Sequence, residues 1–247
     1  MHFNLLTFDI LDSTNTEALK QAKLGADEGL CVLARQQTAG RGRHGRTWVS
    51  ERDAGLYFSI VLRPRMEMHE LPLITLMTGV AVHDTLESFG IKPDIKWVND
   101  VLVNEKKIAG ILAETTETDD GLAVVVGIGI NLTSQNFPPD LVLTATCLED
   151  CSPASVSRDE LIGVLTRHLG SSYELLQGAE GPAKIIESWK RRSSYTSGKV
   201  VSVVLENETV TGATDGLESN GALRIKRSDG TIAIVQAGHV ERVRAAN

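Results

Sequence analysis

The run Gly40-Arg41-Gly42-Arg43-His44-Gly45-Arg46 constrains this chain more than any other seven residues. Three arginines separated by glycines make a loop whose guanidinium and backbone N–H groups can surround a poly-anion. The glycines permit positive φ and a close approach of backbone to ligand. Gly40, Gly42 and Gly45 also satisfy the GxGxxG spacing. A dinucleotide-binding βαβ unit needs a helix directly after those glycines and an acidic residue at the end of the next strand. The residues that follow, RTWVSERDAG, carry no helical stripe, which excludes a Rossmann unit. GxxxxGKS and GxxxxGKT occur nowhere, which excludes a P-loop. A solvated basic loop is the plainer alternative for any such run taken alone.

Around this loop the periodicity predicts an α+β arrangement. Residues 3–10 read as a strand. Thr14 and Glu17 have the spacing of a capping box, so a helix should start at Thr14, bury Ala18, Leu19 and Ala22, and end at Gly25. Residues 29–35 and 55–62 read as strands, the second so evenly apolar that both its faces should be buried. Pro72 opens a helix over 72–88. Residues 95–114 predict strand, turn and strand, reversing near Asn104-Glu105, and 122–130 another buried strand with two glycines. Glycines weaken a strand, so a ligand or another backbone should pass close there. Residues 133–156 read as loop. Ser157 and Glu160 form a second capping box at the head of a helix through Leu176, and Pro182 opens one more to about Ser193. From 198 to 244 the texture changes to short alternating strands broken by Asn, Asp and Gly, as in a small barrel. The division is a catalytic domain over 1–195, with a mixed sheet and flanking helices, and a β module over 196–247 that needs packing against its neighbour.

The net charge of −7 opposes a protein that holds nucleic acid by general phosphate attraction. Of the three cysteines, Cys31 lies in an apolar run and reads as a packed thiol. Cys147 and Cys151 make neither a CxxC nor half of a zinc site. The odd count points to a reducing compartment. The N-terminal MHFNLLTFDILDSTN has no signal-peptide pattern, and no segment reaches transmembrane length, so a cytoplasmic location away from membranes is expected.

Three further motifs join the basic loop. Asp12-Ser13-Thr14-Asn15 places small polar side chains at a helix mouth. Lys96-Trp97-Val98-Asn99-Asp100 is followed by Lys106-Lys107-Ile108-Ala109-Gly110-Ile111-Leu112, with Lys107 just before an apolar strand. Gly127-Ile128-Gly129-Ile130-Asn131 ends a buried strand. Each has a plain structural explanation alone: capping, a solvated edge lysine, a bulge. In this order and at these distances, with Gln37 before the basic loop and Trp48 after it, the set resembles the catalytic domain of biotin protein ligases. The resemblance covers nearly the whole chain, including a C-terminal SH3-like barrel. Two residues depart from the family pattern: Val98 stands where the family has Pro, and His44 where it often has Arg.

The resemblance implies a fold of the class II aminoacyl-tRNA synthetase-like, biotin–lipoate ligase type. It implies that biotin and ATP react to biotinoyl-5'-AMP, and that biotin then passes to a lysine of a biotin carboxyl carrier protein. Joining a carboxylate to an α-phosphate brings two anions together, so cations are needed there; Arg43 and Lys107 are the expected ones. The biotin site would comprise Ser13, Thr14, Asn15, Gln37, Gly40, Arg41, Gly42, Arg43, Lys107, Gly110, Ile111 and Leu112. Ser13, Thr14 and Gln37 would serve the ureido ring, and Gly110, Ile111 and Leu112 would wall the thiophane ring and valeryl chain. The adenylate would meet Arg43, Arg46, Trp48, Asn99, Lys107 and Asn131. Mg²⁺ would accompany ATP with Asp100 as an outer partner, and Asp100 is also the candidate for guiding the proton of the incoming lysine. Arg242 or Arg244 could reach back from the β module. With DSTN starting at residue 12, a monofunctional form without a DNA-binding domain is expected; the oligomeric state stays open, a homodimer included. The alternatives are a lipoate or octanoate ligase or transferase of the same superfamily, and a nucleic-acid-binding module.

Overall fold

In the computed structural model, residues 1–135, 137–205, 208–236 and 239–242 are described, the last four by backbone alone. β1 (Asn4–Leu11) runs parallel to β2 (Leu30–Gln37), with α1 (Thr14–Lys23) as the crossover. β2 pairs antiparallel with β3 (Gly55–Leu62), and β3 with β7 (Gly121–Asn131). β6 (Lys106–Thr118), β5 (Asp100–Val103) and β4 (Asp94–Lys96) complete a mixed sheet of order β1-β2-β3-β7-β6-β5-β4. The turn from β5 to β6 holds Asn104 and Glu105 at φ 51 and 64, the left-handed pair that a tight two-residue hairpin requires.

Successive strand residues face opposite sides of a sheet, and here the two sides differ in chemistry. Leu56, Phe58, Ile60 and Leu62 of β3 join Val124, Val126, Ile128 and Ile130 of β7 in one large core. That core is shared with α2 (Pro72–Glu87), α4 (Arg158–Gln177) and α5 (Gly181–Arg191). On the other side, Ala123 and Val125 pack under Ala18 and Ala22 of α1. Further along that side β7 carries Gly127, Gly129 and Asn131, in register with Ser59, Tyr57 and Gly55 of β3. Apolar bulk stops there, and the sheet face is left for a site.

Thr14 does not cap α1. Ser13 occupies the extended N-cap position without a side-chain cap. The Thr14 hydroxyl donates to Gln37 Oε1 at 3.1 Å, and Glu17 accepts from Lys20 and Gln21. A tertiary partner on β2 has replaced the local one. At α4 the expected cap holds: Ser157 Oγ accepts from the Glu160 N–H at 3.2 Å. Among the described residues of the stretch 133–156 the one α-helix is the four-residue α3 (Leu148–Cys151).

β8 (Ser197–Val204), β9 (Thr209–Leu217), β10 (Leu223–Lys226), β11 (Ile232–Val235) and β12 (His239–Arg242) form an antiparallel sheet of order β11-β10-β9-β8-β12. Among the described residues no pairing joins β11 to β12, so the expected barrel is seen as an open sheet. Its Val201, Val203, Leu223 and Ile225 belong to the same core as Leu73 and Leu76 of α2. Trp97 Nε1 donates to the Gly221 carbonyl at 3.0 Å. A Cβ on Gly221 would stand 2.8 Å from Leu76, a closeness only glycine permits at its φ of +85. Among the described residues no helix is long and apolar enough to cross a membrane.

Candidate functional site

A cavity of about 1060 Å³ lies over the glycine-bearing half of the sheet, walled by the start of α1, the basic loop and residues 137–145. Two cross-strand rows make its floor. One runs Tyr57, Gly129, Gly110, Asp100; the other runs Ser59, Gly127, Leu112. The glycines are there for side chains of this same chain. A Cβ on Gly129 would lie 2.4 Å from the Trp48 indole, and one on Gly110 would lie 2.8 Å from it. A Cβ on Gly127 would lie 2.1 Å from Asn15 Oδ1. The close approach expected from a ligand or a backbone is thus made by Trp48 and Asn15. Gly129→Ala should displace Trp48 at a cost of about 1–3 kcal/mol in stability. It should also change the tryptophan emission and weaken ATP binding about tenfold or more; wild-type emission and ATP affinity would show that the indole does not rest on this glycine.

The end of the cavity beside α1 is neutral and polar. Gln37 Oε1 accepts from the Thr14 backbone N–H at 2.8 Å, and Gln37 Nε2 donates to Ser50 Oγ at 2.7 Å. Ser59 Oγ lies 2.7 Å from Thr14 Oγ1 and 2.6 Å from Asn15 Oδ1. Ser13, Thr14 and Asn15 are all buried. The opposite end is charged. Lys107 Nζ sits 2.6 Å from Asp100 Oδ1 and 5.2 Å from the centroid of the Trp48 ring. Arg43 Nη1 donates to Asn99 Oδ1 at 3.3 Å, and Asn99 Nδ2 donates to the Ile111 carbonyl at 3.0 Å. Burial pushes the Arg43 guanidinium below its ordinary value, while the Asp100 charge pulls it back up. Asn131 Nδ2 donates to the Thr146 carbonyl at 2.9 Å, and Lys107 is bridged on both backbone sides to Thr144 and Thr146.

The basic loop is closed on itself. Arg41 bridges Thr47, Gly42 N–H donates to the Arg46 carbonyl at 2.7 Å, and Trp48 N–H to the Gly40 carbonyl at 2.9 Å. Between them Arg43–Gly45 makes a single tight turn, with His44 at φ 54. Gly40 is required by space, since a Cβ there would be 2.3 Å from the Trp48 carbonyl.

Every predicted site residue but one lines the cavity. Gly40 borders instead a smaller hollow behind the loop, together with Leu112 and Glu114. Ile111 contributes its backbone alone; strand alternation sends its side chain into the core, 3.8 Å from where a Cβ on Gly79 of α2 would stand, so the expected apolar wall there is Leu112. The side chain of Arg242 and all of Arg244 lie outside the described residues. Three contributions went unread. Ser59 is the one serine in the apolar strand GLYFSIVL, a legible signal. Glu114 ends the strand run IAGILAE, also legible. Phe137, Leu141 and Thr144 come from a stretch without periodicity and gave no signal. Burial pushes the Cys31 thiol up to about 12, in keeping with a packed thiol. The His83, Asp84 and Glu87 cluster on α2 could be taken for a metal site, but both Asp84 oxygens are engaged by Arg192.

Residues 7–131 match the biotin/lipoate A/B protein ligase family, and residues 196–243 match the biotin protein ligase C-terminal domain. The chain is 34% identical over 241 residues to a bifunctional ligase/repressor of Bacillus subtilis, covering 95% of this chain and 73% of that one. It is 32% identical over 234 residues to a biotin–acetyl-CoA-carboxylase ligase of Paracoccus denitrificans, with 92% and 95% covered. The solved structure of a biotin protein ligase from Aquifex aeolicus in complex with biotin and ATP is similar with a TM-score of 0.84 at 28% identity, over 97% of this chain and 99% of that chain.

Proposed function

Because the chain belongs to the biotin/lipoate A/B protein ligase family, we propose that it is a biotin–acetyl-CoA-carboxylase ligase. It joins biotin to ATP as biotinoyl-5'-AMP and then passes biotin to a lysine of a carboxyl carrier protein. The observation that carries this is the polarity of one cavity: a neutral hydrogen-bonding end at Ser13, Thr14 and Gln37, and a cationic end at Arg43 and Lys107. Biotin has matching parts, a ureido ring that both accepts and donates, an apolar body and a carboxylate. The two-domain chain and its C-terminal match favour biotin over lipoate or octanoate. The arginines of the loop line a concave cavity rather than a flat basic face, which disfavours a nucleic-acid surface.

In the first step a biotin carboxylate oxygen forms a bond to the α-phosphorus of ATP, and the bond to the β-phosphate oxygen breaks to release pyrophosphate. Lys107 and Arg43 neutralise the carboxylate and the α-phosphate as these approach. Trp48 packs over the adenylate, with Asn99, Asn131 and Arg46 around the nucleotide. In the second step a neutral lysine amine attacks the carbonyl carbon of the mixed anhydride and AMP leaves; Asp100 receives or guides the ammonium proton. Mg²⁺ would enter with ATP; Asp100 would be the carboxylate nearest it, and the ion would supply neutralisation of phosphate charge. We divide the chain at 195/196. The strand order of the C-terminal module supports an SH3-like barrel, and three free cysteines fit a reducing cytoplasm. Incubation with biotin and ATP–Mg²⁺ should yield AMP–biotin and biotin-dependent pyrophosphate release. Release driven by lipoate and not by biotin would overturn the assignment.

The C-terminal module acts on the site through the β5–β6 turn. Lys199 Nζ lies 3.1 Å from Glu105 Oε1 and 3.8 Å from the Tyr195 ring centroid, and the Tyr195 hydroxyl donates to Glu105 Oε2 at 3.2 Å. Glu105 is two residues before Lys107. Because the module shares its core with α2, deleting it would confound activity with folding. Lys199→Ala is the cleaner test: it should slow adenylate formation about two- to fivefold, the scale of a partly exposed ion pair. An unchanged rate of pyrophosphate release would show that the module does not act through this bridge.

A further inference from the structure

Glu114 is the carboxylate that joins the basic loop to the floor of the cavity. It lies on β6 beyond the last residue paired with β5, Gly110, so that edge of the strand is open to the loop. One carboxylate oxygen, Oε2, accepts from Asn15 Nδ2 at 2.8 Å. The other, Oε1, accepts from Arg41 Nη2 of the basic loop. Arg41 Nη1 reaches Thr16 Oγ1 at 3.4 Å, on the same helix as Asn15. Asn15 is in turn held by the Leu112 carbonyl at 3.2 Å and by Ser59. Its amide has no freedom to swing away, because it rests on the bare backbone of Gly127. The carboxylate is partly sheltered, with a quarter of its side chain exposed (25%), and borders the hollow behind the loop.

Neither oxygen of Glu114 faces a role in the chemistry. One is spent on a rigid part of the site, the other on the segment that closes it. We propose that Glu114 is a positioning residue that latches the basic loop: by holding Arg41 against the Asn15 floor, it keeps the loop closed over the bound adenylate and sets how often that adenylate escapes before a carrier lysine arrives. This rests on the biotin–adenylate reading above. Loss of the latch raises the rate at which the loop opens. It leaves Arg43 and Lys107, and hence the forward chemistry, in place.

The test compares wild type with Glu114→Gln and Arg41→Gln, singly and together, as full chains. Gln keeps an acceptor for Asn15 and removes the charge that holds Arg41. Arg41 is the other half of that contact and lies off the sheet; because it also lines the cavity, its single variant is read only through the fraction of adenylate released, and Glu114→Gln alone carries the comparison of synthesis. Biotin-dependent pyrophosphate release is measured first, then the fraction of adenylate freed into solution on a rapid filter, with a non-cognate protein present to report escaped adenylate. Each single variant should free about three- to tenfold more adenylate per turnover than wild type. Glu114→Gln should retain initial pyrophosphate release within about threefold, and the double variant should leak no more than the leakier single one. A Glu114→Gln enzyme that retains adenylate like wild type would overturn the latch, as would leakage that multiplies in the double variant. A purely structural role would lower thermal stability and synthesis together, without changing the fraction released. If wild type makes no biotin adenylate at all, the functional reading fails, and the latch with it, before any variant is compared.

Discussion

Lys107→Ala is expected to slow biotinoyl-AMP formation by about two to three orders of magnitude, the usual cost of removing one preorganised group that meets charge as it develops. In the proposed reaction the lysine stands where two anions must approach each other. Its ammonium is oriented from two sides, by Asp100 at 2.6 Å and by the face of Trp48. Its backbone is fixed as well, since the N–H donates to the Thr144 carbonyl at 2.8 Å and the carbonyl accepts from Thr146 N–H at 2.9 Å. An alanine therefore leaves the strand in place and removes the ammonium together with its contacts to Asp100 and Trp48. Asp100 loses its bonded partner, at a cost of about 1–3 kcal/mol, yet it stays near Arg43, which should keep the fold intact. Biotin-dependent pyrophosphate exchange reads the loss directly, with circular dichroism as the control. Exchange within a few-fold of wild type in a folded variant would remove Lys107 from the chemistry and leave the neutralisation to Arg43.

Arg43→Gly is expected to raise escape of the adenylate about ten- to a hundredfold, the equivalent of roughly 1.5–3 kcal/mol in one charge-assisted hydrogen bond. Arg43 sits centrally in the loop, bonded to Asn99, whose own amide is tied to the Ile111 carbonyl. Removing the guanidinium leaves that floor standing and, on the proposed function, takes away the loop's grip on phosphate. A glycine here would make a third in the run from Gly42 to Gly45, so the segment also gains freedom when open. Synthesis should persist while bystander proteins acquire biotin on accessible lysines. Equal labelling of a non-cognate protein by wild type and variant, with equal release on a rapid filter, would shift the retaining role to Arg41 or Lys107. The leak predicted for Glu114→Gln is smaller because that change loosens the loop without removing the group proposed to hold the phosphate.

Much of the site is local in the chain and therefore readable. Strand period determines that Gly127, Gly129 and Asn131 share a face, and that β3 is buried on both sides; each follows from a two-residue repeat and side-chain polarity. The arginines and glycines of 40–46 suggest an anion loop by residue type, but only their company with the other motifs separates that reading from a solvated basic loop. The order of the motifs along the chain resembles one family closely enough to propose a set of site residues, and all of that set but Gly40 line one cavity. What periodicity cannot carry is register and partner choice across long separations. Thr14 has the spacing of a cap, but a residue 23 positions away takes its hydroxyl. Glu114 meets Asn15 across 99 residues and Arg41 across 73, so its place between loop and floor exists only once β6 has found its partner on β7. The same pairing turns Ile111 toward α2 and leaves only its backbone to the site. Residues 137–145, without a repeat of their own, become a wall of the cavity because Lys107 ties their end down, its backbone N–H donating to Thr144 and its carbonyl accepting from Thr146. The C-terminal strands, legible as strands, lose their separateness in the same way: Leu223 and Ile225 have no sufficient core of their own and bury themselves in the one that α2 already holds.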